Sequence, residues 1–383
     1  MNCQHVYRSC CTKALTESTL ENVRQALASG HTQGDGPFTA RCQEWLRDRC
    51  DVAHALLTTS CSTALDMCAL LCDVGPGDEV ILPSFTFVST ANAFLARGAT
   101  LRFVEISPQT LNINPESVAD AVTERTKVIV PVHYAGMSCD MARILEIAQA
   151  CSAIVVEDAA QGINASWRGR ALGSIGNLGT LSFHATKNVS CGEGGALLFR
   201  DEEFVERGQI IREKGTNRAA FIRGEVDKYT WQDLGSSYLP SDLLAAVLLD
   251  QFSRVSEITG RRLELFGRYM ERLAELTDSG RVQLPQVPGD CLHNGHIFYI
   301  LMPDSHGRDE LISYLRKRSI PATFHYVPLH TSPMGLKLGY SNGDMPVTES
   351  VAGRLIRLPI SNDMTLSDVD TICSAILQWC REH

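Results

Sequence analysis

Four stretches of the 383-residue chain set polar or reactive side chains just after short apolar runs. Thr58-Thr59-Ser60-Cys61-Ser62-Thr63 follows Leu56-Leu57, and Pro83-Ser84-Phe85-Thr86-Phe87 follows Ile81-Leu82. Glu157-Asp158-Ala159-Ala160-Gln161 follows Val155-Val156, and Ser182-Phe183-His184-Ala185-Thr186-Lys187-Asn188 follows Leu181. Ligands of doubly wound sheets gather at the carboxyl ends of the strands, so chemistry is sought here first. A run of hydroxyls opening a helix offers free N–H groups and the positive end of the dipole, which suits a phosphate; taken alone, the run reads first as a plain helix cap. Asp158 closes a strand expected to be buried, where a carboxylate needs a cation or hydrogen-bond donors. Lys187 by itself would ordinarily be a solvated loop cation. It is followed, however, by Cys191-Gly192-Glu193-Gly194-Gly195, whose glycines let backbone and ligand approach closely. An anion cradle, an aromatic ring at Phe87, a buried Asp and a Lys are together the parts that hold pyridoxal phosphate. The Lys forms the Schiff base, the Asp keeps the pyridine nitrogen protonated, and the aromatic covers the ring face.

These groups must be held by strands and helices in alternation. Continuous β-branched and apolar runs predict buried strands over Glu79–Leu82, Leu101–Ile106, Lys127–Val132, Ala153–Glu157, Gly179–Phe183 and Gly195–Phe199. Helical spacing predicts helices between them over Ser62–Cys72, Ser89–Arg97, Pro115–Thr123 and Met141–Cys151, giving an α/β domain with a mostly parallel sheet. Upstream lie a helix from Leu15 to Ser29, capped by Thr16 or Ser18, the turn Gly34-Asp35-Gly36-Pro37, and a helix over Phe38–Arg49. Past Glu257 the texture changes to a long amphipathic helix (Arg261–Leu276), a strand (His296–Met302), a helix (Arg308–Arg318) and a strand (Thr323–Val327). The expected organisation is a large domain over 1–256 and a smaller α+β domain over 257–383.

Composition removes several function classes. Asp and Glu number 44 against 35 Lys and Arg, a net charge of -9, which disfavours nucleic acid as a partner. No apolar stretch approaches the ~20 residues that span a bilayer, so no membrane association is expected. The N-terminus lacks the layout of a secretory leader, and the 14 cysteines, scattered without a C-x-x-C pair, read as reduced, buried thiols of a cytoplasmic protein. His293-x-x-His296 has no third ligand at metal spacing, so no metal site is expected.

The order Glu157-Asp158-Ala159-Ala160-Gln161, then Ser182 to Asn188, then Gly192-Glu193-Gly194-Gly195 resembles the DegT/DnrJ/EryC1/StrS family of sugar aminotransferases, from about Leu20 to the C-terminus. The resemblance implies the fold type I architecture of pyridoxal phosphate-dependent aminotransferases. It makes Lys187 the catalytic lysine that carries the cofactor, pairs Asp158 with the pyridine nitrogen and puts Gln161 near the phenolic oxygen. Phe87 takes the stacking position, Cys61 and Ser62 match a phosphate-binding dipeptide that is often Gly-Thr, and Ser182 supplies a further phosphate hydroxyl. Cys61 keeps its backbone N–H, so the exchange for Gly leaves that role open to it. Two departures stand out. Tyr238-Leu239 replaces a Tyr-Asn whose Asn reaches the phosphate of the neighbouring subunit's cofactor, with Ser236 and Ser237 as candidate substitutes. Met1–Lys13 lacks the Pro-containing strand expected there.

Within the family, Arg212-Glu213-Lys214-Gly215-Thr216-Asn217-Arg218, Arg223-Gly224 and Val226-Asp227-Lys228-Tyr229-Thr230-Trp231 resemble the members that transfer an amino group from L-glutamate to C4 of TDP-4-keto-6-deoxy-glucose. Lys228, His325 and Tyr326 are then the expected substrate-binding residues, the last two from the hallmark segment Phe324-His325-Tyr326-Val327-Pro328-Leu329-His330, whose simpler reading is an edge strand ending at a Pro. The family implies a homodimer, small-molecule substrates (a TDP-sugar and L-glutamate) and a role in surface polysaccharide synthesis. A sugar 3-aminotransferase or a 4-aminotransferase giving the other epimer is the alternative. The family's dehydratases replace the lysine with histidine, and Lys187 argues against that chemistry. A non-enzymatic binding protein on this scaffold would be favoured by loss of Lys187 or Asp158, and both are present.

Overall fold

The computed structural model describes residues 16–383, and the expectation for Met1–Lys13 lies outside the described residues. Thr16 caps helix α1 (Glu17–Ala28), and α2 (Pro37–Cys50) starts with Pro at its first position, where a missing N–H costs nothing. The large sheet is built from β1 (His54–Thr58), β2 (Glu79–Pro83), β3 (Thr100–Val104), β4 (Thr126–Ile129) and β5 (Ile154–Asp158). After the short β6 (Ser166–Trp167) and β7 (Arg170–Ala171), it is completed by β8 (Leu178–Ser182) and β9 (Gly195–Phe199). The spatial order is β1-β9-β8-β5-β4-β2-β3, and four of the six neighbouring pairs are parallel. Only β9 runs against its neighbours, because it returns from β8 through the short loop that carries Lys187. The sheet is therefore the mostly parallel α/β sheet expected of fold type I, with β1 as a seventh strand beyond the six predicted.

The continuous apolar runs divide by alternation between two cores. Leu57, Ile81, Ile129, Val155, Leu181 and Leu198 face one layer with α2 and Phe252. Leu56, Val80, Leu82, Val128, Val156 and Leu197 face the other, with Ala64, Leu65 and Cys68 of α3 (Cys61–Leu71) and with Phe94 of α4 (Val88–Leu95). Covering both faces is what makes these strands apolar throughout. Cutting one such buried Leu to Ala would cost about 2–5 kcal/mol.

The C-terminal part has its own core. The antiparallel pair β11 (Phe298–Leu301) and β12 (Leu355–Leu358), preceded by the short β10 (Cys291–Leu292), packs against helices Val255–Asp278, Ser305–Lys317 and Leu366–Glu382. Thr323–Val327 is not the strand that its aromatic and β-branched content predicts. Thr323 exchanges two backbone hydrogen bonds with Arg357, 3.2 and 2.7 Å, and then the chain leaves the sheet because its next partners are side chains. Phe85 and Tyr134 from the large sheet meet Tyr299, Leu301 and Leu355 in a cluster that joins the two parts directly beneath this segment. The eleven described cysteines form no disulfides with one another, and no helix among the described residues is long and apolar enough to cross a membrane.

Candidate active site

The site assembles at the carboxyl ends of β1, β2, β4, β5 and β8. At the end of β1, Ser60 caps α3: its side chain accepts from Thr63 N, and Thr63 returns a bond to the Ser60 N–H. This capping box satisfies Thr63 and leaves the N–H groups of Cys61 and Ser62, the first two helical residues, with no acceptor among the described residues. Gly195 packs flat against the Ser60–Cys61 backbone, where any Cβ would collide. The start of β9 thus forms one wall of this turn. Across from it, the hydroxyls of Ser62 and Ser89 meet at 2.6 Å. The Cys61 thiol points inward to Thr180 at 3.4 Å, and burial pushes its pKa up to about 12, with the nearby Asp158 charge adding to the shift. It is a neutral wall group rather than a nucleophile.

Asp158 is 5% exposed and has the hydrogen-bonded partners its burial requires. Its Oδ2 accepts from Thr90 Oγ1 at 2.6 Å and its Oδ1 from Ala160 N at 3.1 Å. Thr90 is in turn held by Thr86 at 2.9 Å, so the first turn of α4 orients the carboxylate. Phe87, at the cap of the same helix, is 57% exposed, an apolar ring presented rather than packed away. Next to Asp158, Glu157 faces the opposite layer. It is fully buried and accepts from Gly173, Ile175 and Gly176 N–H groups at 3.0, 2.6 and 2.6 Å and from His133 Nε2 at 2.7 Å. Because His133 Nδ1 accepts from Cys139 N, the imidazole carries its proton on Nε2, toward Glu157.

Gln161 is fixed at both ends: Oε1 accepts from Ala135 N at 2.6 Å and Nε2 donates to Tyr326 Oη at 3.2 Å. Tyr326 rests edge-on against Phe85 and Tyr134, and Tyr134 Oη lies 3.0 Å from His325 Nδ1. The two histidines of this segment separate clearly. His330 is fully buried, with Nδ1 on Ser84 Oγ at 2.7 Å and Nε2 on Glu349 at 2.9 Å, which makes it a strut between β2 and the C-terminal part. His325 is half-buried and stays neutral, its pKa depressed to about 2 by burial and then by the cations Arg357 and Lys187.

Lys187 sits in the β8–β9 turn, half-buried, its N–H bonded to His184 O at 2.9 Å. Burial lowers its amine pKa and Arg357 lowers it further, against opposing pulls from Cys61 and Asp158. Lys187, Cys61, Asp158, His325 and Arg357 therefore share one electrostatic neighbourhood. Ser182 ends β8 one turn earlier and is buried. Lys228 is not drawn in: it is exposed on the 223–231 loop, with no side-chain bond to any of these groups. His293 and His296 do not converge, since His293 lies beside the Phe266 ring and His296 bonds Asn188.

Sequence reasoning missed Arg357 and Tyr134. Arg357 stands half-buried between Ile356 and Leu358 in β12, and its side chain makes no hydrogen bond or ion pair among the described residues. A lone cation inside an apolar strand was the available signal. Tyr134 lies just past β4, where the same rule of strand ends would have found it.

The described residues fit pyridoxal phosphate: unclaimed N–H groups and hydroxyls for a phosphate, a buried carboxylate for the pyridine nitrogen, an exposed ring for its face, and an amine of lowered pKa for its aldehyde. The profile of the DegT/DnrJ/EryC1/StrS aminotransferase family matches residues 13–377, almost the whole chain. The chain belongs to that family. Spore coat polysaccharide biosynthesis protein SpsC of Bacillus subtilis is 34% identical over 93% of both chains. The GDP-perosamine synthase of Caulobacter vibrioides is 31% identical over 90% of both. Among solved structures, the aminotransferase TlmJ from Streptoalloteichus hindustanus superposes with a TM-score of 0.88 at 31% identity, covering 96% of this chain and 97% of that one. As a DegT/DnrJ/EryC1/StrS protein, the chain is a pyridoxal phosphate-dependent nucleotide-sugar aminotransferase.

Proposed function

We propose that the enzyme transfers the amino group of L-glutamate to C4 of TDP-4-keto-6-deoxy-D-glucose, giving TDP-4-amino-4,6-dideoxy-D-galactose for a surface polysaccharide. The observation that carries the reading is the shared neighbourhood of Lys187, Asp158, Cys61 and Arg357: an amine of lowered pKa, a buried carboxylate, a helix start and a half-buried cation with no carboxylate partner among the described residues. Pyridoxal phosphate, when bound, supplies the electron sink that lets a proton leave the carbon bearing the amino group. Ser62 and the Cys61 and Ser62 N–H groups would hold its phosphate with Ser182, Asp158 its pyridine nitrogen, Gln161 its phenolic oxygen, and Phe87 its ring face. Lys187 would bind its aldehyde at rest and, once released by the incoming amine, take and return the proton at the reacting carbon. Arg357 would hold a carboxylate of the amino donor by a charge-assisted bond, since at the reacting end glutamate presents an anionic acceptor and the sugar ring bearing the keto group does not. His325, neutral, and Tyr326 would line the sugar side.

The sugar assignment is supported by the segments Arg212–Arg218 and Val226–Trp231, and a nucleotide-linked acceptor by a relative named for a GDP-sugar. Lys228 would reach substrate only from one subunit to the next, which fits a cytoplasmic homodimer. The exposed Phe221 and Ile222 in the helix Arg218–Ile222, and Tyr229 and Trp231 on the loop that follows it, favour such a contact. The test is to incubate the enzyme with TDP-4-keto-6-deoxy-D-glucose and L-glutamate and resolve the product by NMR. Small couplings of H4 to H3 and H5 are expected for the galacto product. Large couplings would indicate the opposite epimer, and an amine at C3 would move the enzyme to the 3-amino sugar class.

A further inference from the structure

Asn188, the residue after Lys187, is 1% exposed and hydrogen-bonded through both its amide nitrogen and its amide oxygen. Its Nδ2 donates to Asn294 O at 3.0 Å, so its Oδ1 is an acceptor, and His296 Nδ1 approaches that oxygen at 2.8 Å. His296 therefore donates from Nδ1 as a neutral imidazole, consistent with burial holding its pKa well below the ordinary value. Asn294 completes the clasp. Its Nδ2 donates to the carbonyls of Gln161 and Ile163 at 2.7 and 2.8 Å, and its Oδ1 accepts from His296 N at 3.1 Å. Gly136, at φ +75°, passes so close to this amide that any side chain there would strike it. From the far side, Arg262 donates to the carbonyls of Gly295 and His296 at 3.0 and 2.8 Å. Two buried side chains of the C-terminal part, Asn294 and His296, thus grip the two loops that carry Lys187 and Gln161, and Arg262 braces their backbone from behind.

We propose that His296 is a positioning residue for Lys187, acting through Asn188 to fix the β8–β9 turn against the Gln161 loop. The inference rests on Lys187 being the cofactor lysine. An amine that must meet an aldehyde and then a carbon-bound proton tolerates little displacement, and a misplacement of ~1 Å costs about 10²-fold in rate. Asn in place of His296 puts an N–H where Nδ1 now lies; Gln puts its amide one bond further out and cannot reach Asn188 in the same way.

The test compares His296→Asn and His296→Gln as holoenzymes, reading kcat, both KM values, melting temperature and the visible absorbance of the Lys187-linked cofactor at saturating pyridoxal phosphate. H296Q should lose about 10- to 100-fold in kcat, with KM values within about 3-fold, and show a reduced linked fraction. H296N should recover both readouts to within about 3-fold of wild type. Unchanged kcat and absorbance in H296Q with only a lower melting temperature would overturn the proposal, as would H296N as impaired as H296Q, or failure of both to fold. Failure of the underlying reading is separate: it would appear as a wild-type enzyme whose cofactor is not attached at Lys187.

Discussion

Replacing Asp158 by Asn separates the carboxylate's structural work from its chemical work. The structural cost is small because both contacts survive. The Asn oxygen can keep Ala160 N, and its amide can donate to Thr90 Oγ1, which turns its own hydrogen toward Thr86 Oγ1 at 2.9 Å. One rearranged hydrogen bond is worth about 1 kcal/mol, a shift of a few degrees at most in melting temperature. The chemical cost is large. A unit charge about 4 Å from its partner, at an effective dielectric of about 20, contributes about 4 kcal/mol. At about 1.4 kcal/mol per tenfold, losing it slows turnover by about 10³. The assay is steady-state amino transfer from L-glutamate by the loaded variant, with a thermal melt and bound cofactor measured on the same sample. Turnover within tenfold of wild type, with the cofactor retained, would remove Asp158 from the role of ring partner.

Arg357→Met should raise the KM for L-glutamate about 10- to 100-fold, the worth of one charge-assisted hydrogen bond, and leave the sugar KM within about threefold. Equal rises in both would end its assignment to the amino donor. Glu157→Gln should destabilise the protein by about 3–5 kcal/mol in chemical denaturation, since one amide N–H₂ must face donors that now meet a carboxylate oxygen. A loss under ~1 kcal/mol would contradict that count. Loading of the apoenzyme with pyridoxal phosphate should accelerate as pH rises, because only the unprotonated amine attacks an aldehyde. Its midpoint should fall below the ordinary lysine value of 10.5, as burial lowers the Lys187 pKa. A stopped-flow midpoint at or above that value would refute the electrostatic picture.

Much of the fold was legible because strands covered on both faces write themselves as unbroken apolar runs. Gly195–Phe199 and Met141–Cys151 match their predicted bounds, and the other predicted strands of the large sheet shift by one to three residues at an end. The direction of β9 was not legible: a five-residue apolar strand carries no mark of which way it runs. Thr323–Val327 failed for a different reason, since its side chains find partners in Tyr134 and Gln161 that no local pattern records. Lys187, Asp158 and Gln161 stand out in sequence because they follow strands. Arg357 does not, because it reaches the same neighbourhood from β12, far along the chain, and only the packing of the C-terminal part onto the large sheet brings it there. The Asn188–His296–Asn294 clasp was hidden likewise: His293-x-x-His296 reads as a failed metal motif until Asn188 is seen to face one of its histidines.

The attachment point of the cofactor tests the central claim most directly. Hydride reduction of the holoenzyme, followed by peptide mapping by mass spectrometry, should place a single pyridoxyl group on Lys187. The Lys187→Ala protein should carry none, bind the cofactor only reversibly through Ser62 and Asp158, and lose at least ~10²–10⁴-fold in turnover. A pyridoxyl group on any other lysine, or Lys187→Ala protein that still transfers amino groups at near the wild-type rate, would contradict it.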